Sequence, residues 1–298
     1  MSKDQVDALR AMLAARPQVG ADVAARRAAF EATGRRFAPP PDVAVQPVVF
    51  TGDPGVAGLR LTPPGAVAGR TLLFLHGGAF VVGSSRTHAG LAAAIAREAR
   101  ADAIVTDYRL VPEHPFPAAL EDAVTAWAGL LAGGADPARC AVLGDSAGAN
   151  LAVALCLRAK ALDLPLPGAI GLISPYLDLT HSGAGIKERA GRDPFIDASR
   201  MDYTAAMYLG GASPTNPLCS PLFGDLAGLP PVLVQVGTEE VLYDDATRFA
   251  AAATAAGVPV MLEVWEDMIH VFPFFRGQID EAEMAVASMG RFLDERLG

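Results

Sequence analysis

Cysteine is scarce in this chain of 298 residues, which has three, at positions 140, 156 and 219. Such a small, odd set provides no disulfide framework, and no spacing among the three matches a metal-binding pattern such as C-x-x-C. Cys140 and Cys156 lie in apolar runs, where a free thiol is typical of a buried packing residue. We therefore expect no disulfide, and no motif calls for a metal ion or a cofactor.

Basic residues are also in deficit, with 24 Lys and Arg against 33 Asp and Glu and a formal net charge of -9. Nucleic acids and anionic membrane surfaces are bound through basic patches, so we expect neither as a partner. The chain has no uncharged apolar run of about 18 residues, which argues against a transmembrane helix. The first ten residues, M-S-K-D-Q-V-D-A-L-R, lack the apolar segment of a signal peptide, so the expected location is cytoplasmic.

Apolar residues make up 51% of the chain, and they occur in short runs that alternate with helix-like stretches. Runs typical of strands occupy residues 43–50, 56–62, 71–75, 103–106, 140–143, 169–173, 232–236 and 258–264. Helix-like stretches lie at 87–100, 117–132, 147–161, 244–256 and 281–296. This alternation predicts an α/β fold with a mostly parallel sheet covered by helices on both faces.

Two segments depart from the alternation. Residues 1–40 show helical spacing of apolar residues and end at the run A-P-P-P. The interval 174–230 is rich in Gly, Pro, Ser and Asp, with a helix-like patch at 199–209. We interpret both as parts of a cap above the carboxyl ends of the strands.

The most informative short pattern is G-D-S-A-G at residues 144–148, where a strand-like run becomes a helix-like one. A serine on a sharp strand-to-helix turn is the nucleophile elbow of hydrolases, and glycines two residues away on either side avoid a clash. The N-terminus of the following helix favours negative charge near the serine oxygen. Ser146 is therefore the predicted nucleophile.

A serine nucleophile needs a base, and on this kind of fold the chain order is Ser, acid, His. Of five histidines, only His181 and His270 follow Ser146. His181 lies in the loop-rich interval and would need its acid earlier in the chain. His270 follows the last strand-like run, which makes it the predicted base.

The acid is expected in the loop after the strand at 232–236, which reads G-T-E-E-V-L-Y-D-D. Candidates are Glu239, Glu240, Asp244 and Asp245. The two aspartates are more typical of the first turn of the following helix. This leaves the two glutamates, of which we favour Glu240.

A donor pair for an oxyanion is expected in H-G-G-A-F at residues 76–80, because glycines let backbone N–H groups approach a substrate oxygen. The N–H groups of Gly77, Gly78 and Ala147 are predicted to converge on that oxygen.

These patterns, together with Y-R-L-V-P-E-H-P-F-P-A-A-L at 108–120 and M-I-H-V-F at 268–272, resemble the bacterial hormone-sensitive-lipase-like esterases of the α/β-hydrolase superfamily. Within that family the chain looks most like monoterpene ε-lactone hydrolases and acetyl hydrolases. The resemblance implies an eight-stranded, mostly parallel sheet in a catalytic domain of residues 46–298. It implies a helical cap from residues 1–45 and 180–215, and a possible homodimer that pairs through the strand at 258–265.

Two departures from the family pattern stand out. The third residue after the histidine of the glycine motif is usually glycine, whereas here it is Ala79. The usual D-P-L-x-D is replaced by E-V-L-Y-D, which puts Glu240 at the position of the acid and leaves Asp244 as the alternative.

The expected function is a serine carboxylesterase that hydrolyses short- to medium-chain carboxylic esters, or lactones, without a cofactor. An amidase or peptidase with the same triad, and a non-catalytic ligand-binding homologue, are the alternatives. The first usually carries an extra binding domain, and the second would normally lack the base. Candidates for lining the substrate pocket are Phe80, Asp145, Tyr176, Met207 and Phe272.

Overall fold

The computed structural model describes residues 3–15 and 22–298, and an eight-stranded sheet runs through it in the order β1-β2-β4-β3-β5-β6-β7-β8. β2 is antiparallel to both of its neighbours, and β3 to β8 are all parallel. The strands are β1 (Ala44–Phe50), β2 (Val56–Thr62), β3 (Thr71–Leu75), β4 (Asp102–Thr106), β5 (Cys140–Asp145), β6 (Ala169–Ile173), β7 (Val232–Gly237) and β8 (Val260–Trp265). The predicted α/β fold with a mostly parallel sheet is confirmed.

Helices cover both faces of this sheet. Their bounds are α1 (Lys3–Ala14), α2 (Val23–Gly34), α3 (Ser85–Glu98), α4 (Ala118–Ala132), α5 (Ala147–Ala161), α6 (Gly185–Glu188), α7 (Met201–Leu209), α8 (Tyr243–Ala255) and α9 (Asp280–Arg296). α4, α5 and α8 pack on one face, and α3 and α9 pack on the other. None of the helices within residues 3–15 and 22–298 is long and apolar enough to cross a membrane.

The central strands are apolar throughout because both of their faces are covered. Side chains alternate along β3, so that Leu73 and Leu75 enter one core while Leu72 and Phe74 enter the other. Every residue of β3, β5, β6 and β7 is buried. The edge strands β1 and β8 keep exposed positions, in keeping with their single hydrogen-bonded neighbour.

The parallel arrangement determines where a site can form. The loops after β3, β5, β6, β7 and β8 all leave the same edge of the sheet, since parallel strands end on the same side. α2 and residues 195–204 lie over this edge and contribute to the wall of a cavity there. The segments expected to form a cap, 1–45 and 180–215, thus each supply part of that wall.

Candidate active site

Ser146 occupies a strained turn between β5 and α5. Its backbone has φ 52° and ψ -118°, a combination that a non-glycine residue rarely adopts. The flanking glycines are required by a close approach of β3. A Cβ atom at Gly144 would lie 2.5 Å from the carbonyl oxygen of Leu75, and one at Gly148 would lie 1.9 Å from it. The turn exposes the serine to the cavity, whose wall it helps to form.

His270 follows β8 and reaches the same cavity. Its Nδ1 atom lies 3.0 Å from Oε2 of Glu240, so Nδ1–H can donate to the carboxylate. In that tautomer Nε2 has a free lone pair and can accept a proton from a hydroxyl group. Burial works against the charged imidazolium, but the hydrogen bond and charge of Glu240 outweigh it, and the pKa of His270 is raised.

Glu240 is fully buried, and its other carboxylate oxygen is also bonded. Oε1 accepts hydrogen bonds from the Ser174 hydroxyl at 2.8 Å and from the Gly237 backbone N–H at 2.6 Å. A buried carboxylate is costly unless such donors surround it. These contacts hold Glu240 in place beneath His270.

The other acids of this loop face elsewhere. Glu239 points toward two arginine side chains at 3.7 and 3.8 Å. Asp244 accepts a hydrogen bond from a backbone N–H of the cap segment at 2.8 Å. Asp245 accepts two backbone hydrogen bonds from the loop after β6, and burial raises its pKa to about 7. Of the four candidates, the structure brings Glu240 to the imidazole of His270.

The prediction that Gly77 is an oxyanion donor is wrong. Its backbone N–H already donates to Oδ1 of Asp145 at 2.9 Å. The glycine is required there because a Cβ atom would lie 2.0 Å from Oδ2 of the same carboxylate. The spacing of the motif identified the loop, but it did not reveal which N–H group turns toward Asp145.

The next two residues of the loop face the cavity instead. Gly78 and Ala79 have φ values of 118° and 55° and both line the cavity beside Ser146. Among the described residues, no hydrogen-bond acceptor meets the N–H groups of Gly78, Ala79 or Ala147. These three donors are therefore available to a substrate oxygen.

His76 supports this loop from behind. Burial lowers its pKa to about 3, so the ring stays neutral. Its Nδ1–H donates to the carbonyl of Gly77 at 2.8 Å. Tyr108 stacks on the ring at 4.1 Å and donates its hydroxyl to the His76 carbonyl at 2.6 Å. The loop is thus fixed by buried contacts rather than by the glycines alone.

The cavity has a volume of about 360 Å³, and two of the five predicted pocket residues, Asp145 and Tyr176, line it. The other three predictions are not met. Phe80 turns away and stacks on Tyr208 at 3.6 Å, and Phe272 is buried against Trp265. Met207 packs against the core and is absent from the cavity wall.

Two supporting residues of the site were not predicted from the sequence, and neither was Ala79 as an oxyanion donor. Ser174, directly after β6, donates to Glu240 and accepts a hydrogen bond from the backbone N–H of Val271 at 2.9 Å. Asp193, in the cap segment, accepts from the backbone N–H of His270 at 3.0 Å. The position of Ser174 at the end of a predicted strand could have indicated that it belongs to the site. Nothing in the sequence indicates Asp193, because its loop has no regular pattern.

His181 takes part in a separate chain of contacts. Its Nε2 lies 2.6 Å from the Tyr176 hydroxyl, and its Nδ1 lies 2.6 Å from Oδ1 of Asp202 in α7. The histidine is thus bonded to a cap residue and to a cavity residue.

Within residues 3–15 and 22–298, no group of three or more His, Cys, Asp or Glu side chains is placed to hold a metal ion.

Comparison with known sequences agrees with this architecture. Residues 72–274 match the model of the alpha/beta hydrolase fold family. An acetyl-hydrolase of Streptomyces hygroscopicus is 42% identical over 281 residues, which cover 93% of this chain and 91% of that protein. An esterase of Acinetobacter venetianus is 37% identical, over 87% of this chain and 84% of that protein.

Solved structures place the chain more narrowly. The crystal structure of an esterase from the bacterial hormone-sensitive lipase family superimposes with a TM-score of 0.95 at 39% identity, and the match covers 100% of both chains. EstE5, in a crystal soaked with p-nitrophenyl butyrate, superimposes with a TM-score of 0.93 at 38% identity over 98% of each chain. The chain therefore belongs to the α/β-hydrolase superfamily and, within it, to the bacterial hormone-sensitive-lipase-like esterases, and it is a carboxylic ester hydrolase.

Proposed function

We propose that the protein hydrolyses short- to medium-chain carboxylic esters through an acyl-enzyme on Ser146. The observation that carries this is the 3.0 Å contact between Glu240 and His270, at a cavity that Ser146 also lines. In this reaction His270 takes the serine proton as the hydroxyl oxygen attacks the ester carbonyl. Glu240 holds the reactive tautomer and stabilises the imidazolium that forms.

The oxyanion of the tetrahedral intermediate is stabilised by the free N–H groups of Gly78, Ala79 and Ala147. Each is a preorganised donor, and one such donor typically contributes about 10²–10³ in rate. The alcohol then leaves with the proton from His270. A water molecule, deprotonated by the same histidine, hydrolyses the acyl-enzyme and restores the serine.

The size of the cavity supports small substrates. Its volume of about 360 Å³ lies at the lower end of the usual range for ligand pockets, about 300–1,000 Å³. The names of its relatives agree, since one is an acetyl-hydrolase and EstE5 was soaked with a butyrate ester. A lactone of similar size is an ester with the same carbonyl chemistry and belongs to the proposed substrate range.

The test is hydrolysis of p-nitrophenyl acetate, butyrate, octanoate and palmitate, and of ε-caprolactone, by the protein and its Ser146→Ala variant. We expect kcat/KM to be highest for acetate or butyrate and to fall by about 10³-fold or more in the variant. Ser213→Ala, which removes an exposed hydroxyl outside the cavity wall, is the matched control. Mass spectrometry after treatment with a fluorophosphonate should place the label on Ser146.

Two outcomes would contradict the proposal. Turnover that persists in the Ser146→Ala variant would move the nucleophile elsewhere. A preference for palmitate would contradict the substrate size, and faster cleavage of a p-nitroanilide than of the matching ester would indicate an amidase.

A further inference from the structure

We propose that the ester substrate carries an anionic group, a carboxylate or a phosphate, and that Arg26 and Arg200 bind this group inside the cavity. This inference rests on the proposed function and specifies its substrate class. Both arginines belong to the cap: Arg26 lies in α2, and Arg200 immediately precedes α7. Both line the cavity that contains Ser146 and His270.

Two other arginines of the cap have partners of their own. Arg27 forms an ion pair with Glu113 at 2.7 Å, and Arg189 lies 3.6 Å from Asp244. In contrast, the side chains of Arg26 and Arg200 form no ion pair and no hydrogen bond with any other described residue. The remaining residues, M-S at 1–2 and R-P-Q-V-G-A at 16–21, contain no acidic side chain. Among residues 3–15 and 22–298, no carboxylate therefore forms an ion pair with either guanidinium group.

The acidic residues that do line the cavity are engaged elsewhere. Asp145 accepts the N–H of Gly77, as described above. Asp197 accepts hydrogen bonds from both the backbone N–H and the hydroxyl of Ser199, at 3.0 and 2.6 Å. Neither carboxylate is within ion-pair distance of Arg26 or Arg200.

The two arginines also disfavour each other. The pKa of Arg26 is lowered, first by its partial burial and then by the positive charge of Arg200. Two like charges held together at an apolar wall, beside Phe30 and Met201, are unfavourable without a counter-charge.

An anion between the two guanidinium groups would relieve this repulsion. Guanidinium donates in-plane pairs of N–H groups that match the oxygens of a carboxylate or a phosphate. Because the cavity also contains Ser146, the anion and the scissile ester would belong to the same molecule. Suitable substrates are half-esters of dicarboxylic acids, or esters whose alcohol part carries the anion.

Paired substrates test this in the unmodified enzyme. Mono-p-nitrophenyl adipate, which has an anionic acyl end, is compared with neutral p-nitrophenyl hexanoate. 4-Acetoxybenzoate is compared with its methyl ester, and 4-acetoxyphenyl phosphate is compared with phenyl acetate. We expect kcat/KM to be at least about tenfold higher for the anionic member of at least one pair. The pair that shows this preference identifies whether the anion is a carboxylate or a phosphate, and whether it lies on the acyl or the alcohol part of the ester. Equal or faster turnover of the neutral member in all three pairs overturns the proposal.

Variants then assign the preference to the arginines. Arg26→Gln and Arg200→Gln should each lower the anionic-to-neutral ratio of kcat/KM by about tenfold. Arg26→Lys, which keeps the charge but not the planar donor pair, should retain more of the ratio than Arg26→Gln. Arg36→Gln removes an equal charge from an exposed position of the same cap segment outside the cavity and should leave the ratio unchanged.

The outcomes separate the two proposals. If no ester is cleaved in a Ser146-dependent way, the proposed function itself fails. If neutral esters are cleaved through Ser146 without any anionic preference, only the arginine site fails. A ratio that falls as far in Arg36→Gln as in Arg26→Gln would attribute the preference to overall charge and also overturn the site.

Discussion

Asp145, the residue before Ser146, accepts a hydrogen bond from the backbone N–H of Gly77 at 2.9 Å. The contact joins the turn after β5 to the loop after β3. One side of this bond is adjacent to the proposed nucleophile, and the other is adjacent to the proposed oxyanion donors. The relative position of these two parts of the site therefore depends on a buried carboxylate that does not itself react.

Asp145→Ala should lower kcat by about 10²-fold. Without the hydrogen bond to Gly77, the N–H groups of Gly78 and Ala79 are no longer held where the substrate oxyanion forms. Asp145→Asn keeps an oxygen that can accept the N–H and should lose less than the alanine variant. Steady-state kinetics on p-nitrophenyl butyrate, with circular dichroism to verify folding, measure both effects. Equal losses in the two variants would mean that the charge of Asp145, not its hydrogen bond, matters.

Glu240→Gln should lower kcat by about 10³-fold or more, since an amide cannot stabilise the imidazolium as a carboxylate does. Asp244→Asn alters only the contacts of Asp244 with Gly185 and Arg189 of the cap segment and should lower kcat by less than tenfold. The same kinetic assay ranks the two. The reverse order would assign the role of the acid to Asp244.

The pH dependence of kcat/KM follows from His270. The protonated imidazole cannot accept the serine proton, so activity should rise with pH as the imidazolium is deprotonated. Because Glu240 raises the pKa of His270, the midpoint of this rise should lie above the ordinary value of 6.5. In Glu240→Gln the residual activity should rise at a lower pH, and an unchanged midpoint in that variant would contradict the pairing.

The loop after β3 offers a matched pair of substitutions. Ala79 has φ 55°, a conformation that glycine adopts without strain, so Ala79→Gly should retain activity and change the free energy of unfolding by less than about 1 kcal/mol. Gly78→Ala should impair both stability and activity, because the added Cβ would lie 2.2 Å from the carbonyl oxygen of Val82. Denaturant unfolding and esterase assays test the pair.

Strand β8 is an edge strand with exposed apolar side chains, including Met261 at 47% and Val264 at 44% exposure. Such an edge can pair with a second copy, and we propose a homodimer through residues 258–265. Val264→Lys should then yield a monomer in light scattering, while Met284→Lys, at an exposed position of α9, should not. A wild-type protein that is already monomeric would contradict the dimer.

The sequence predicted the fold well because buried parallel strands are continuous apolar runs. Each of the eight predicted runs overlaps an observed strand, and the order of Ser146 and His270 along the chain follows from the same topology. The sequence does not by itself distinguish the four acidic residues, because spacing locates a loop but does not orient its side chains. Burial and the donors Ser174 and Gly237 distinguish Glu240.

Two of the errors, those at Gly77 and Phe80, have a common origin in backbone dihedral angles. Gly77 and Phe80 lie in a loop where Gly78, Ala79 and Phe80 all have positive φ. Local backbone angles, and not residue type, direct the N–H of Gly77 to Asp145 and the buried ring of Phe80 away from the cavity to Tyr208. No periodicity of residue types encodes such a turn. Likewise, the cap arginines are noticeable only once their lack of partners can be observed.

Ser146, Ser174, Glu240 and His270 follow four successive strands of the sheet, β5 to β8, and the last three are joined by hydrogen bonds. The residues that would perform the chemistry come into contact only when strands β5 to β8 have assembled into the sheet. Catalytic activity thus reports on cooperative folding. Under denaturation, turnover should disappear together with the sheet, and hydrogen exchange at these loops should be as slow as in the strands that carry them.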